Sequence, residues 1–259
     1  MKIALVGYGK MGHMIESSAK AKGHEVVATI DIMAKDATNL VAAGDGKALA
    51  EAVKNSGAEG IIEFSHPSSV IGNLKALIPL GLPIVCGTTG WAKSEDEIEK
   101  LCAASNNSVM RSSNFSIGVN MFYKIVEEAA RLMAEYSEYD VAVWEAHHNQ
   151  KADSPSGTAL EIARRVMNGN KSKTEMVFDA FHERPKANEL HVSSTRVGFV
   201  PGTHTVFFDS PADSIELTHR ARSREGFALG SVVALEKLCA KLADGSLSKG
   251  KLYGMGDLF

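Results

Sequence analysis

Over the first 115 residues, short apolar runs alternate with stretches whose apolar residues recur every three or four positions. The runs Lys2–Val6, Glu25–Ile30, Gly60–Phe64, Pro83–Cys86 and Ser108–Met110 predict buried strands. Helices are predicted from the first glycines to about Lys22, from Pro67 through about Ile78, and from Ser94 to about Ala104, where Ser94 and Glu97 have capping-box spacing. Alternation of this kind between strands and helices predicts a parallel sheet covered on both faces. Ligands bind such sheets at the carboxyl ends of the strands.

The pattern changes after Phe115. A long helical period from Ile117 to about Tyr136 leads into strand-like segments at Val141–Glu145, Leu190–Val197, His204–Asp209 and Ser214–Thr218, with one clear helix, Thr158–Val166, among them. Neighbouring strands without intervening helices predict an open mixed or antiparallel sheet. Gly198–Gly202 and Pro211–Asp213 read as its turns, and polar Phe178–Asn188 as a loop. A second long helix, Phe227–Leu242, is apolar enough to pack back on the first domain, and glycine-rich Leu247–Phe259 reads as a cap.

Composition narrows the classes. The chain has 259 residues, 44% hydrophobic and 23% charged, with net charge −3, so no global basic balance points to nucleic acid. No apolar run reaches membrane-spanning length. Cys86, Cys102 and Cys239 are scattered, with no metal-binding spacing, and read as reduced thiols of a cytosolic protein. The first strand begins at once, leaving no room for a signal peptide.

Two stretches carry candidate chemistry. Gly7, Tyr8, Gly9, Lys10, Met11 and Gly12 form G-x-G-x-x-G between a strand and a helix. Gly7 permits a tight turn, Gly9 lets the backbone approach a pyrophosphate, and Gly12 lets helix and strand pack closely. Asp31 ends the second strand, about twenty residues further on, where a carboxylate holds adenosine ribose hydroxyls. It disfavours a 2′-phosphate and so favours NADH, although Lys10 and Lys35 leave NADPH possible. The other strand ends are Phe64–Pro67, Gly87–Gly90 and Ser112–Phe115. Thr88 and Thr89 are candidates for a nicotinamide carboxamide or belong to a hydroxyl-rich turn. His66 either serves the cofactor or caps its loop.

The second stretch runs from Glu145 to Leu160. His147 and His148 bring imidazoles, which can give or take a proton, and Lys151 offers an ammonium. Ser156, Gly157 and Thr158 stand at a helix start, where unpaired N–H groups and the helix dipole favour an anion. The combination suits an acidic substrate that is protonated during reaction. The basic run Arg220, Arg222, Arg224 reads equally as a solvated loop.

The residues from Glu145 to Ala159 resemble the E-x-H-H-x-x-K-x-D-x-P-S-G-T-A signature of the dihydrodipicolinate reductase family. Gly7–Gly12, Phe64–Pro67, Gly87–Gly90, Asn114–Asn120 and Gly202–Thr205 resemble further family segments in the same order, so the likeness spans nearly the whole chain. Ser113 departs from the family's usual alanine or proline. The resemblance implies a Rossmann dinucleotide-binding domain from residues 1–115 and 220–259. It also implies an α+β substrate and tetramerisation domain with an open mixed sheet from residues 116–219. It implies hydride transfer from NAD(P)H to a cyclic dicarboxylate, giving tetrahydrodipicolinate, in a homotetramer of lysine and diaminopimelate synthesis. By position, His147 would protonate the ring carbon with Lys151 assisting. His148, Lys151, Gly157 and Thr158 would bind carboxylates, with Ser156 nearby. Gly87, Thr88, Thr89, Ser112, Ser113, Asn114 and Phe115 would line the cofactor site with the glycine loop and Asp31. No metal is implied. Other readings are an aspartate dehydrogenase-like reductase, against which the Ser156–Thr158 motif speaks, and a non-catalytic dinucleotide sensor, against which His147 and Lys151 speak.

Overall fold

The structure, a computed structural model, describes residues 1–178 and 180–258. The chain divides into two compact units, Met1–Ser116 with Glu225–Phe259, and Ile117–Arg224.

The first unit opens with β1 (Lys2–Val6), α1 (Lys10–Ala21), β2 (Glu25–Asp31), β3 (Asn39–Leu40) and α2 (Gly46–Ser56). It continues through β4 (Gly60–Glu63), α3 (Val70–Leu77), β5 (Ile84–Cys86), α4 (Glu95–Ser105) and β6 (Val109–Arg111). The predicted apolar runs are strands because they are buried on both sides: all four residues of β4 and all three of β5 are buried. Between Asp31 and Gly60 the hydrophobic pattern predicts no element. The two-residue β3 is too short for a periodic signal. The helix α2 is marked by Asp45, whose side chain accepts the Ala48 N–H, and by Gly57 at φ 69°. The predicted capping box is not formed. Ser94 makes no side-chain cap bond, because a 3-10 turn at Ala92–Ser94 runs directly into α4. The helix expected after Pro67 starts only at Val70 and tightens into a 3-10 turn at Ile78–Leu80.

The second unit contains α5 (Ile117–Met133), β7 (Asp140–His147), α6 (Gly157–Gly169), β8 (Glu175–Val177), β9 (Glu189–Arg196), β10 (Thr203–Asp209) and β11 (Ser214–Arg220). The sheet order is β11-β10-β7-β9-β8. β10 pairs antiparallel with β11 and β7, while β7, β9 and β8 are parallel, so the sheet is mixed. Val141 and Val143 of β7, Leu190 and Val192 of β9, and Val206 and Phe208 of β10 form a core with Phe122 and Val126 of α5 and Ile162 and Val166 of α6. One sheet face is therefore apolar at every second residue along three adjacent strands. The short β8 was not expected. Of the predicted Phe178–Asn188 loop, the described residues form no helix or strand, and Asp179 lies outside them.

The chain then returns to the first unit as α7 (Glu225–Ala243), β12 (Leu252–Tyr253) and α8 (Met255–Leu258). The Leu247–Phe259 segment, read as a cap, instead supplies a strand beside β6; Phe259 lies outside the described residues. The complete parallel sheet is β12-β6-β5-β4-β1-β2-β3. The order reverses between β1 and β4, and such a switch point is where α/β sheets bind nucleotides. No helix among the described residues is long and apolar enough to cross a membrane.

Candidate active site

In the first unit the glycine loop lies at the sheet's switch point. Gly7 has φ +90°, and a Cβ there would stand 2.2 Å from the Phe64 carbonyl oxygen. A Cβ on Gly12 would stand 2.5 Å from the Gly7 oxygen. Gly9 differs: nothing lies within 4 Å of its Cβ position, and no side chain caps α1 behind it. The loop is thus held shut by packing at its ends and left open in the middle, as a backbone cradle for a pyrophosphate requires.

Asp31 is tied to this cradle. Its Oδ2 accepts the Tyr8 N–H at 2.7 Å, and its Oδ1 accepts those of Met33 and Ala34 at 2.9 and 3.0 Å. Burial would raise its carboxyl, but these donors outweigh burial and hold it below its ordinary value. The Tyr8 hydroxyl donates to Glu16, and its ring stacks on His13. Lys10 is exposed and Met11 half-buried against the core.

The remaining strand ends are partly committed. The Thr88 hydroxyl donates to the buried Glu63 at 2.7 Å and accepts the Ser65 N–H at 2.8 Å. It therefore braces the loops after β4 and β5, and Glu63 is a site-shaping residue that sequence reasoning missed. A Cβ on Gly87 would overlap the Phe64 ring, at 1.9 Å. Exposed Thr89 shares a shallow cavity with Trp91, Ser112 and Ser113. The Ser112 hydroxyl donates to the Asn114 carbonyl, and Phe115 is buried under α7. His66 caps its own loop, its Nδ1 2.8 Å from the Ser68 hydroxyl.

In the second unit the register of the sheet builds a polar cluster at the end of the apolar face. Glu145 and His147 follow Val141 and Val143 on one side of β7. On β10, His204 pairs with Glu145; on β9, Ser194 pairs with Glu145 and Arg196 with His147. His147 is thus the last residue of a strand, two residues beyond the predicted end, and is buried. Glu145 is fully buried. Its Oε1 accepts the Ser156 N–H, the Ser194 hydroxyl and the Arg196 guanidinium, each at 2.9 Å. Its Oε2 accepts the Ser156 hydroxyl and lies 3.1 Å from His147 Nδ1 and 3.6 Å from His204 Nε2.

Ser156 also caps α6 through the Ala159 N–H, so its hydroxyl is committed to the fold. The helix start it sets leaves Gly157 exposed, with nothing within 4 Å of a Cβ position. Thr158 hydrogen-bonds Tyr123, whose hydroxyl burial pushes up to about 12. Lys151 pairs with Asp153 at 2.8 Å, and His148 is half-buried beyond the strand end. Gly202, at φ +148°, faces His147: a Cβ there would be 3.0 Å from Nε2.

Sequence reasoning missed Arg196, His204, Ser194 and Tyr123. The first three had a signal, since each continues an apolar alternation with a polar residue. Tyr123 had none, since it lies within an apolar helix period.

Residues 1–115 match the family description "Dihydrodipicolinate reductase, N-terminus", and residues 118–259 match "Dihydrodipicolinate reductase, C-terminus". A 4-hydroxy-tetrahydrodipicolinate reductase of Christiangramia forsetii is 36% identical over 238 residues, 92% of each chain. One from Archaeoglobus fulgidus is 38% identical over 241 residues, 90% of this chain and 92% of its own. A solved dipicolinate-bound dihydrodipicolinate reductase from Paenisporosarcina sp. TG-14 shares the fold, with TM-score 0.76 at 20% identity over 100% of this chain and 99% of its own. The nucleotide cradle and the polar cluster each fall within the half so matched, and the chain belongs to the dihydrodipicolinate reductase family.

Proposed function

We propose that in this reductase His147 delivers the proton, and Lys151, His148 and the α6 start at Gly157 and Thr158 hold the carboxylates of the substrate. Family membership makes the chain an NAD(P)H-dependent oxidoreductase acting on a small molecule, 4-hydroxy-tetrahydrodipicolinate. The observation that carries the assignment of roles is the buried His147 imidazole, backed by Glu145, with its Nε2 side kept clear by Gly202.

The cofactor supplies the hydride when bound. The open Gly9 and the uncapped start of α1 fit its pyrophosphate, and Thr89, Ser112 and Ser113, which share one cavity, would line the nicotinamide side. Hydride addition to a conjugated carbon–nitrogen system leaves electron density on the ring, which His147 quenches by protonating carbon. Lys151, held by Asp153 until substrate competes for it, anchors a carboxylate and supports that transfer. The Gly157 and Thr158 N–H groups, at the positive end of α6, receive carboxylate oxygens.

Pyridine-2,6-dicarboxylate, the ligand named for the Paenisporosarcina relative, tests carboxylate recognition. It is expected to inhibit competitively, and its monocarboxylate relative less well. Equal inhibition by both, or a Lys151→Ala enzyme with unchanged inhibitor affinity, would count against the assignment.

NADH is the proposed cofactor, with NADPH tolerated. The Asp31 carboxylate, ionised and fixed by three backbone donors, repels a 2′-phosphate, and Ile32 and Met33 follow it, so no arginine stands immediately beside it. The specificity constant for NADH is expected to equal or exceed that for NADPH at fixed salt, and Asp31→Ser to lower the preference. Strong wild-type preference for NADPH would show that Lys10 and Lys35 outweigh the acid.

We also propose a cytosolic homotetramer. Its support is the three free cysteines and the second face of the mixed sheet, where Trp144 and Phe207 stand half-buried opposite the face packed on α5 and α6.

A further inference from the structure

Two buried groups of the polar cluster neither deliver the proton nor bind the carboxylates in the reaction as proposed above: the Glu145 carboxylate and the His204 imidazole. Burial would push the Glu145 carboxyl up, but the His147 and His204 rings beside it and the Ser156 donors outweigh burial and hold it well below the ordinary carboxylate range. An ionised carboxylate only accepts hydrogen bonds. A ring nitrogen facing it is therefore the one that carries a hydrogen. His147 Nδ1 lies 3.1 Å from Glu145 Oε2, buried, with no aligned hydrogen-bond partner among the described residues. The Glu145 oxygen is the acceptor within its reach, and such bonds commonly tighten only with substrate in place.

His204 closes the other side. The register sets it opposite Glu145, and its ring meets the His147 ring edge-on, with centroids 5.2 Å apart and planes at 72°. Both rings share Oε2, while Ser194 and Arg196 occupy Oε1. The carboxylate therefore cannot swing away from the imidazoles without breaking these bonds and the one Oε1 accepts from the Ser156 N–H. On the opposite edge of His147, only a glycine at 202 leaves Nε2 uncrowded.

We propose that Glu145, braced by His204, is the positioning residue that fixes the Nδ1–H tautomer of His147, so that Nε2 is the atom that gives its proton to substrate. In the transfer, the Nε2–H bond of the imidazolium breaks and its electron pair stays on the ring nitrogen. A C–H bond forms on the substrate with the electron pair left there by hydride addition. The imidazole that results carries its remaining hydrogen on Nδ1, facing Glu145. The inference rests on His147 being the proton donor. The charged and titratable groups around the ring are Glu145 on its own strand, Arg196 on β9, His204 on β10, and Lys151 in the following loop.

The test is the nitrogen chemical shifts of the histidine rings in 15N-labelled wild-type protein, with His147 assigned by comparison with His147→Gln. The Nδ1–H tautomer of neutral His147 is expected; an Nε2–H tautomer overturns the inference. In parallel, Glu145→Gln keeps the shape of the group but can present an N–H to Nδ1, which favours the wrong tautomer. It is expected to lower kcat by a factor on the order of 10²–10⁴ with KM and cofactor affinity little changed. Wild-type kcat in folded Glu145→Gln overturns the inference, and if that variant does not fold, the wild-type tautomer decides. Loss of wild-type activity on dialysis against a chelator would assign Glu145, His147 and His204 to a bound cation and overturn it too. Unchanged turnover in His147→Gln would instead remove the reading on which the inference rests, whatever the tautomer.

Discussion

Replacing His147 by glutamine is expected to lower turnover by a factor on the order of 10²–10⁴ and to leave cofactor affinity nearly unchanged. Glutamine keeps a polar group of similar reach but cannot deliver a proton to carbon. The split between turnover and affinity follows from the fold. His147 closes β7 of the mixed sheet, whereas the glycine loop and Asp31 belong to the parallel sheet. The backbone at 147 is held by β9 and by the Val197 N–H, which donates to the His147 carbonyl at 2.9 Å, so strand geometry should survive the change. Steady-state turnover across the pH range and a cofactor titration give the two numbers. Wild-type turnover at every pH would remove His147 from the role.

Gly7→Ala is expected to destabilise the first unit by about 2–6 kcal/mol, combining overpacking with backbone strain. The added carbon would lie 2.2 Å from the Phe64 oxygen and 2.8 Å from the Ser65 Cα, both backbone atoms that cannot rotate aside, and φ is +90°. Gly9→Ala is the control in the same loop. Nothing lies within 4 Å of its Cβ position, so stability should hold while cofactor affinity falls. Thermal melts of both variants with cofactor titration of Gly9→Ala separate the two roles. Equal melting temperatures for Gly7→Ala and wild type would contradict the packing argument, and unchanged affinity in Gly9→Ala would contradict the cradle.

The parallel sheet was legible because its strands are buried on both faces and read as apolar runs, most of them followed by a helix period. The strands that escaped were too short to have a period: β3 and β12 are two residues each, and β8 is three; the helix α2 escaped although Asp45 and Gly57 mark its ends. The capping box failed because a local spacing rule says nothing of the 3-10 turn that delivers the chain to α4. In the candidate site, motif spacing found the residues contiguous in sequence. It could not find Arg196 and His204, which sheet register alone brings to Glu145 from 51 and 59 residues away. Their alternation was nevertheless visible: Leu190, Val192, Ser194, Arg196 on one strand, and Phe208, Val206, His204 on another. Each apolar face turns polar at the same edge. Sequence also could not show that Thr88 and Ser156 spend their hydroxyls on Glu63 and Glu145, because buried carboxylate partners follow from tertiary packing.

The decisive measurement is loss of reduced-nicotinamide absorbance when the enzyme is mixed with NADH and freshly generated dihydrodipicolinate-synthase product. Oxidation that requires that product and is lost in His147→Gln is the expected result. No oxidation with that product, together with oxidation on an α-keto or imino acid such as oxaloacetate with ammonia, would contradict the proposed reaction and favour an amino-acid dehydrogenase.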